Sequence, residues 1–441
     1  MLRKTTVLFL LAVLAWRLAA AEDKGDTSEL RRKIESLEQR LNEERARAEK
    51  ERQAAEERLR ALETQIDDLR AKSEAAPAAA AAAPSLPSFA GILNPAIGAS
   101  LNFVFRGSNQ KMFAENGKRI DNQPNLREAE IDARAAVDPY ADGVLIVSIE
   151  SPSPGDFETS VEEGYVTLKK LPFLDVMPLG LSLDLGRFRP EFGKINKLHT
   201  HDLPQTTRPL VIEEFLGQDG FSEDGVSGRL FVPTPWDEEE SLDLTLQALS
   251  GDVAIASGGS NNHGFLGHAR WFRTLGSASD LELGGSSYYA RNDSPGLDAE
   301  MYGADLLYRW KPLRGGESTS FLLGTEYLFA NRHFLESDAT GAEVHSHTEP
   351  QGFYGYAQYQ PAARWYVGVR GDWTESIDDT AVRGSGVMPY VSYYFSEFLR
   401  FRLDYEHIWG HHPEEQAPNT VYLETNVIFG AHPPEPFWVN K

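Results

Sequence analysis

The sequence predicts an all-β transmembrane barrel of about sixteen antiparallel strands, preceded by an α-helical coiled coil. Three observations carry this prediction. From about Ile97 to Phe429 the chain repeats strand-length runs in which apolar and polar residues alternate. Short and long connections alternate between those runs, and after Leu18 no apolar run approaches the ~18 residues that a membrane helix needs.

The elements follow in chain order. Arg3 and Lys4 precede an apolar stretch from Val7 to Leu18, and Ala19 with Ala21 makes a signal-peptidase pattern. Residues 1–21 therefore read as a signal peptide, with the mature chain beginning at Glu22. Residues 28–72 are dense in Glu, Arg and Ala, and Leu30, Ile34, Leu37 and Leu41 recur at alternating spacings of four and three. Ala48 and Ala55 hold the phase weakly, and Leu59, Leu62, Ile66 and Leu69 resume it after a stutter. A coiled coil of about 65 Å is expected at about 1.5 Å per residue. The plainer alternative is a lone charged helix held by i,i+4 pairs. Residues 73–94 form an Ala/Pro-rich linker, semi-rigid over Ala75 to Pro87.

The barrel spans 95–430. In its first run Leu101, Phe103 and Phe105 share one face and Ser100, Asn102 and Arg106 the other. The second run is sharper, with Ala129, Ile131, Ala133, Ala135 and Val137 against Glu128, Glu130, Asp132 and Arg134. Further strands are expected near Val144–Glu150, Val161–Lys169, Leu179–Phe188, Gly225–Val232, Leu242–Ala248, Phe265–Phe272, Asp280–Tyr289 and Met301–Trp310. The series ends with Phe321–Phe329, Phe353–Tyr359, Trp365–Trp373, Val387–Phe395, Leu399–His407 and Val421–Phe429. Long connections fall at Gly107–Pro124, Glu191–Ser222, Gly251–His263, Asn331–Pro350 and His411–Pro418, and short ones between them at Asp138–Ala141, Leu275–Ala278, Pro361–Ala363 and Ser396–Glu397. A β-sandwich has no reason to sort its loops this way. A first strand rising from the periplasm leaves the coil on the periplasmic side. The tail, 431–441, follows Phe429 where such barrels usually end on an aromatic, so either the tail tucks back into the pore or the insertion signal is internal.

Composition excludes several classes. No cysteine is present, so a disulfide framework and a thiolate metal site are both absent. A net charge of -23 and a pI near 4.9 disfavour nucleic-acid partners. H-E-x-x-H and G-x-S-x-G are missing, and Gly193-Lys194 continues with Ile195 where a phosphate loop needs Ser or Thr. No enzymatic activity and no cofactor are expected.

The stretch from Gly186 through Arg187-Phe188-Arg189-Pro190-Glu191 to Leu203-Pro204 resembles the corresponding segment of porin-like proteins related to the phosphate-selective porins. Glu162-Glu163-Gly164-Tyr165-Val166-Thr167-Leu168 and Leu101-Asn102-Phe103-Val104-Phe105-Arg106 are similar too, and the resemblance covers Pro95 to Phe429. It implies a sixteen-stranded homotrimeric porin in the bacterial outer membrane, whose third loop folds inward to narrow the channel. The sequence departs from that family in its lumen. Phosphate-selective relatives present cations, whereas here Glu128, Glu130, Asp132, Asp184, Asp243, Asp404 and Glu406 stand beside Arg134, Arg270, Arg364, Arg370, Arg400 and Arg402.

For the constriction, Arg187, Arg189, Lys194, Lys197 and Arg208 are expected on one side, opposed by Glu213 and Glu214. Singly each is an ordinary loop charge; together they would set a transverse field. Histidine offers an alternative: His199, His201, His345, His347, His411 and His412, with Asp202, Asp338 or Glu343, would place a zinc or copper site at the extracellular mouth if three loops met. The plainer reading, with no metal, is preferred. The functional expectation is a passive channel for small hydrophilic solutes, in outer-membrane lipid. Tethering of the envelope through coil and peptidoglycan is the third class.

Overall fold

The computed structural model describes residues 94–440, apart from 115, 172–173, 175–176, 233, 235–239, 257–262, 293–295, 314–317, 338–342, 412–415 and 432–435. The expected signal peptide, the coil and nearly all of the linker lie outside the described residues.

Among the described residues, seventeen strands join one sheet. They are β1 (Ala96–Ser108), β2 (Gln123–Asp138), β3 (Ala141–Glu150), β4 (Glu158–Leu168), β5 (Ser182–Phe188), β6 (Glu223–Val232), β7 (Glu240–Leu249), β8 (His263–Leu275) and β9 (Ser279–Arg291). Then follow β10 (Ala299–Trp310), β11 (Ser320–Ser337), β12 (Glu343–Thr348), β13 (Gln351–Ala362), β14 (Trp365–Glu375), β15 (Arg383–Ser396), β16 (Leu399–Gly410) and β17 (Asn419–Gly430). Each pairs antiparallel with its neighbour, and β1 pairs with both β2 and β17, from Gly98 opposite Gly430 to Ser108 opposite Thr420. The sheet therefore closes as a sixteen-stranded barrel, which leaves no unpaired edge in lipid.

The extra strand is β12. It pairs with the end of β11 beyond the barrel wall, Arg332 opposite Thr348 to Ser337 opposite Glu343. The sequence did not mark it, because a hairpin exposed on both faces needs no apolar alternation. The strand expected from Leu179 begins instead at Ser182, since Pro178–Gly180 forms a 3-10 turn in which Leu179 has φ +52.

Period-two alternation builds two surfaces. Leu145, Val166, Leu185, Val226, Leu246, Leu283, Leu323, Val367, Val369, Leu403 and Leu423 are exposed on the outer face as an apolar belt. Aromatic side chains rim it, Tyr359, Trp365, Phe395, Phe401 and Phe429 at the tight-turn end and Phe265, Tyr302, Tyr327, Tyr405 and Trp409 at the long-loop end. The buried apolar core lies inside the barrel, because the chain between β5 and β6 folds into it. That segment, 189–222, contributes Phe192, Ile195, Leu198, Leu203, Val211, Ile212, Phe215, Leu216 and Phe221 to the largest core cluster. Its one helix, α1 (Leu210–Leu216), packs on β13, β14 and β15 and stops at Gly217, whose φ of +102 suits glycine.

Candidate functional site

The inner wall carries a dense set of charged side chains, and two β-bulges add to it. Between the pairs Asn102–Glu128 and Phe103–Leu126, Arg127 is the extra residue. Between Ile146–Glu163 and Val147–Val161, Glu162 is. A bulge breaks the alternation, so two successive side chains turn to one face. Arg127 and Glu128, and likewise Glu162 and Glu163, thus both reach the interior.

The inserted segment is gripped by arginines. Arg400 donates to the carbonyl of His201 at 2.6 Å, Arg402 to Leu203 at 2.6 Å, Arg127 to Thr206 at 2.6 Å and Arg370 to Thr207 at 2.5 Å. Each cation is neutralised behind: Glu424 accepts from Arg402 at 2.7 Å and Arg400 at 3.1 Å, and Arg370 bonds Asp372 at 2.8 Å and Glu406 at 3.1 Å. Asp404 accepts the Thr206 N–H at 2.8 Å, and on the far wall Glu326 accepts the N–H groups of Lys194 at 3.0 Å and Ile195 at 2.8 Å. Burying one apolar side chain stabilises by about 1.5–3 kcal/mol, whereas ordering backbone costs about 1–2 kcal/mol per residue. The loop's apolar side chains alone do not offset that cost, so these charge-assisted bonds are needed to hold it inside.

The expected lining residues are thereby divided. Glu128, Glu130, Asp132, Arg370, Arg400, Arg402, Asp404 and Glu406 face inward but are buried, most of them by the loop that crosses them. Arg134, paired with Asp132 at 2.8 Å, Arg270, paired with Asp243 at 2.5 Å, and Arg229, beside Asp184 at 3.7 Å, stay partly open. Arg364 does not line the wall: β13 runs to Ala362, which leaves Arg364 exposed in the tight turn before β14.

The seven expected constriction residues do not converge. Arg187 shares the face of Leu185, two positions away, and so points outward, near Asp224 at 3.7 Å. Arg189 is buried against Glu162 at 2.5 Å, and Arg208 donates to the Leu198 carbonyl at 2.9 Å. Burial and the neighbouring Arg189 push the Arg208 guanidinium down to about 10. Lys194 contacts Glu282, and Lys197 donates to the Arg189 carbonyl at 3.0 Å while remaining partly exposed. Glu213 and Glu214 turn toward other loops, Glu213 accepting from Gln416 at 2.7 Å and Glu214 from the Ile377 N–H at 2.9 Å. Burial first and Glu406 second hold the Glu213 carboxyl well above the usual range.

The histidines part company as well. His199 and His201 are buried against β2 and β4. His199 Nδ1 lies 2.8 Å from Glu162 and 3.0 Å from Glu130, and its Nε2 lies 2.8 Å from Glu163. His201 Nδ1 lies 3.2 Å from Glu128 and 3.8 Å from Glu130, with Nε2 3.7 Å from Asp202. Burial pushes both imidazoles down, but the carboxylates prevail, Glu130 foremost at His199 and Asp202 at His201; His199 is held well above its ordinary value and His201 up at about 10. His347 instead stacks on His333 at 4.6 Å, and His345 shares its exposed hairpin. His411 sits 3.4 Å from Glu214, and His412 lies outside the described residues. Among the described residues the three loops do not assemble a common histidine centre at the mouth.

One feature the sequence left open is resolved. The described end of the tail, 436–440, enters the barrel near its tight-turn end. Trp438 is 1% exposed; its indole N–H donates to the Asp202 carbonyl at 2.7 Å, and Arg400 and Arg402 lie 5.4 and 5.6 Å from its ring. Gln358 donates to the Trp438 carbonyl at 2.9 Å, and Tyr366 to that of Asn440 at 2.9 Å. Arg127, Asp372, Glu424 and Trp438 were not singled out by sequence reasoning, and Glu162 and Glu163 entered only as part of a resemblance, without a role. For Asp372, Glu424 and Trp438 the inward alternation and the apolar tail were the available signals; the bulges at Arg127 and Glu162 leave none.

No known protein-family description matches the chain. A protein of Aquifex aeolicus (strain VF5), described as uncharacterized, is 26% identical over 357 residues, 71% of this chain and 70% of that protein. Among solved structures the chain is similar to Salmonella typhi OmpF in complex with daunomycin, with a TM-score of 0.49 and 12% identity, covering 76% of this chain and 98% of that one. It is similar to the outer membrane channel DcaP of Acinetobacter baumannii, with a TM-score of 0.46, 12% identity and coverages of 76% and 96%. The anion-selective porin from Comamonas acidovorans gives a TM-score of 0.45, 10% identity and coverages of 76% and 98%.

Proposed function

We propose that this chain is a passive outer-membrane channel for small hydrophilic solutes, narrowed by residues 189–222 and by the C-terminal tail. The observation that carries the reading is the placement of that segment inside a closed barrel with an apolar exterior, held by arginines on one wall and by Glu326 on the other. Water and solutes then meet a mixed wall, Arg134 with Asp132, Arg229 with Asp184, and Arg270 with Asp243. Such a wall gives weak ion selectivity. Phosphate preference is disfavoured, because Arg370, Arg400 and Arg402, which would present an oxyanion site, are saturated by carboxylates and loop carbonyls. A homotrimer with residues 28–72 in the periplasm, close enough to approach peptidoglycan, completes the proposal.

Single-channel recording in planar bilayers tests it. Stepwise openings with a reversal potential near zero under a salt gradient are expected, and truncation after Gly430 should enlarge each step. Absence of conductance from folded barrel, with and without the tail, would sink the channel and leave the envelope tether as the reading.

A further inference from the structure

Where the loop segment meets β2 and β4, two carboxylate oxygens are left without hydrogen bonds. Even with both imidazoles fully protonated, His199 has two N–H groups, and Glu162 and Glu163 take them. His201 directs Nδ1 to Glu128. Glu130, 5% exposed, then has at most a share of the His199 Nδ1 proton: its Oε2 makes no hydrogen bond of its own, and neither does Oε2 of buried Glu128.

The donor set has the form of a metal centre. Glu128, Glu130 and His201 bring ligand atoms within 4.8 Å of one another, and so do Glu130, Glu162 and His199, with all five residues buried and Glu130 common to both groups. Both rings turn Nδ1 inward to the shared carboxylate and Nε2 outward, to Glu163 at 2.8 Å and to Asp202 at 3.7 Å. An outer carboxylate on the second ring nitrogen is how metal-binding imidazoles are oriented. Arg189 donates to Glu162 Oε2, the oxygen that also faces His199, and fixes that carboxylate in place. Adjacent ligand atoms on a first-row cation with bonds of about 2.1 Å stand roughly 3 Å apart in octahedral coordination and roughly 3.4 Å in tetrahedral. The spacings around Glu130, 3.0 Å to His199 and 3.8 Å to His201, bracket those values. Imidazole with carboxylate selects first-row transition ions over calcium or magnesium. Glu162 also lines a polar cavity of about 310 Å³ with Glu150, Arg189 and Asp219, which brings a hydrated cation to one side of the cluster.

We propose that Glu128, Glu130, Glu162, His199 and His201 form a buried divalent transition-metal centre, bridged by Glu130, that fastens the inserted loop to β2 and β4. It is independent of the extracellular histidines and of whether the barrel conducts. Full-length barrel in detergent, stripped with EDTA and dialysed, would be titrated with ZnCl2 and with MnCl2 by calorimetry, and with CoCl2 by ligand-field absorption. Saturable binding is expected, at least tenfold weaker in Glu130→Gln and unchanged in the His345→Ala/His347→Ala double variant. Glu130→Gln keeps the side-chain volume, and heat-modifiable gel mobility would confirm that it is folded. Should it misfold, His201→Ala serves, with the same loss expected. Absence of saturable binding by the wild type, or equal binding by the folded wall or loop variant, overturns the proposal.

Discussion

Glu424 shows how much one side chain can carry in this barrel. It is buried on β17 and accepts from Arg400, Arg402, Asn102 and Thr206, so it neutralises two of the cations that grip the loop. Removing one partner of a buried ion pair costs about 3–5 kcal/mol, because the other charge stays behind unpaired. Glu424→Gln is therefore expected to lower the temperature at which the barrel loses its compact gel mobility. Replacing exposed Glu343 in the same way should leave that temperature unchanged, as an exposed charge contributes about 0–1 kcal/mol. Glu213 behaves oppositely. Its folded-state pKa is raised above the unfolded value of about 4.3, so the folded chain keeps a proton that the unfolded chain releases. Stability falls as pH rises above about 4.3 and stops falling only once the raised folded value is passed. Glu213→Gln removes that loss: the variant should melt higher than wild type at pH 8 and together with it at pH 4.

At the scale of elements, the inserted loop takes a left-handed turn at Gly193 where only a glycine fits. Gly193 has φ +60, and a Cβ there would run into the carboxylate of Glu326, the group that accepts the Lys194 and Ile195 N–H bonds. Gly193→Ala combines left-handed strain of about 1–3 kcal/mol with displacement of that anchor. Noisier single-channel currents and a lower melting temperature are expected. The length of this connection, Glu191–Ser222, was legible in the chain, and the porin-like resemblance implied that it folds inward. Its grip was not. A periodic pattern assigns a face to Arg370, Arg400 and Arg402, but whether that face meets water or another segment depends on chain some 160–200 residues away in sequence. Arg187 shows the cost of reading a loop by proximity alone: it belongs to β5, and pleating sends it outward.

For the whole molecule, a closed sheet removes the edges, and the interior is then filled from two directions. Loop and tail touch at Trp438 and Asp202 and at Phe437, whose ring lies 5.3 Å from Lys194 Nζ. Trp438→Ala should loosen this junction and increase conductance less than truncation after Gly430 does, since Gln358, Gln360 and Tyr366 still hold the neighbouring backbone. If residues 29–72 clasp the proposed trimer, deleting them should leave conductance intact while weakening an oligomer on mildly denaturing gels. Loss of conductance on that deletion would show instead that those residues are needed to build the barrel.

By itself the sequence determined the closed barrel, its strand number and the two faces of the wall, because a period of two repeated along the chain is local information. It also marked residues 186–204 as special, though not what they do. Tertiary structure alone decided that Arg370, Arg400 and Arg402 bind a loop, that His199 and His201 leave the other histidines for Glu128, Glu130, Glu162 and Glu163, and that Trp438 enters the lumen. The physical reason is that a one-residue bulge or an aperiodic inserted segment reassigns partners without altering the alternation on either side of it.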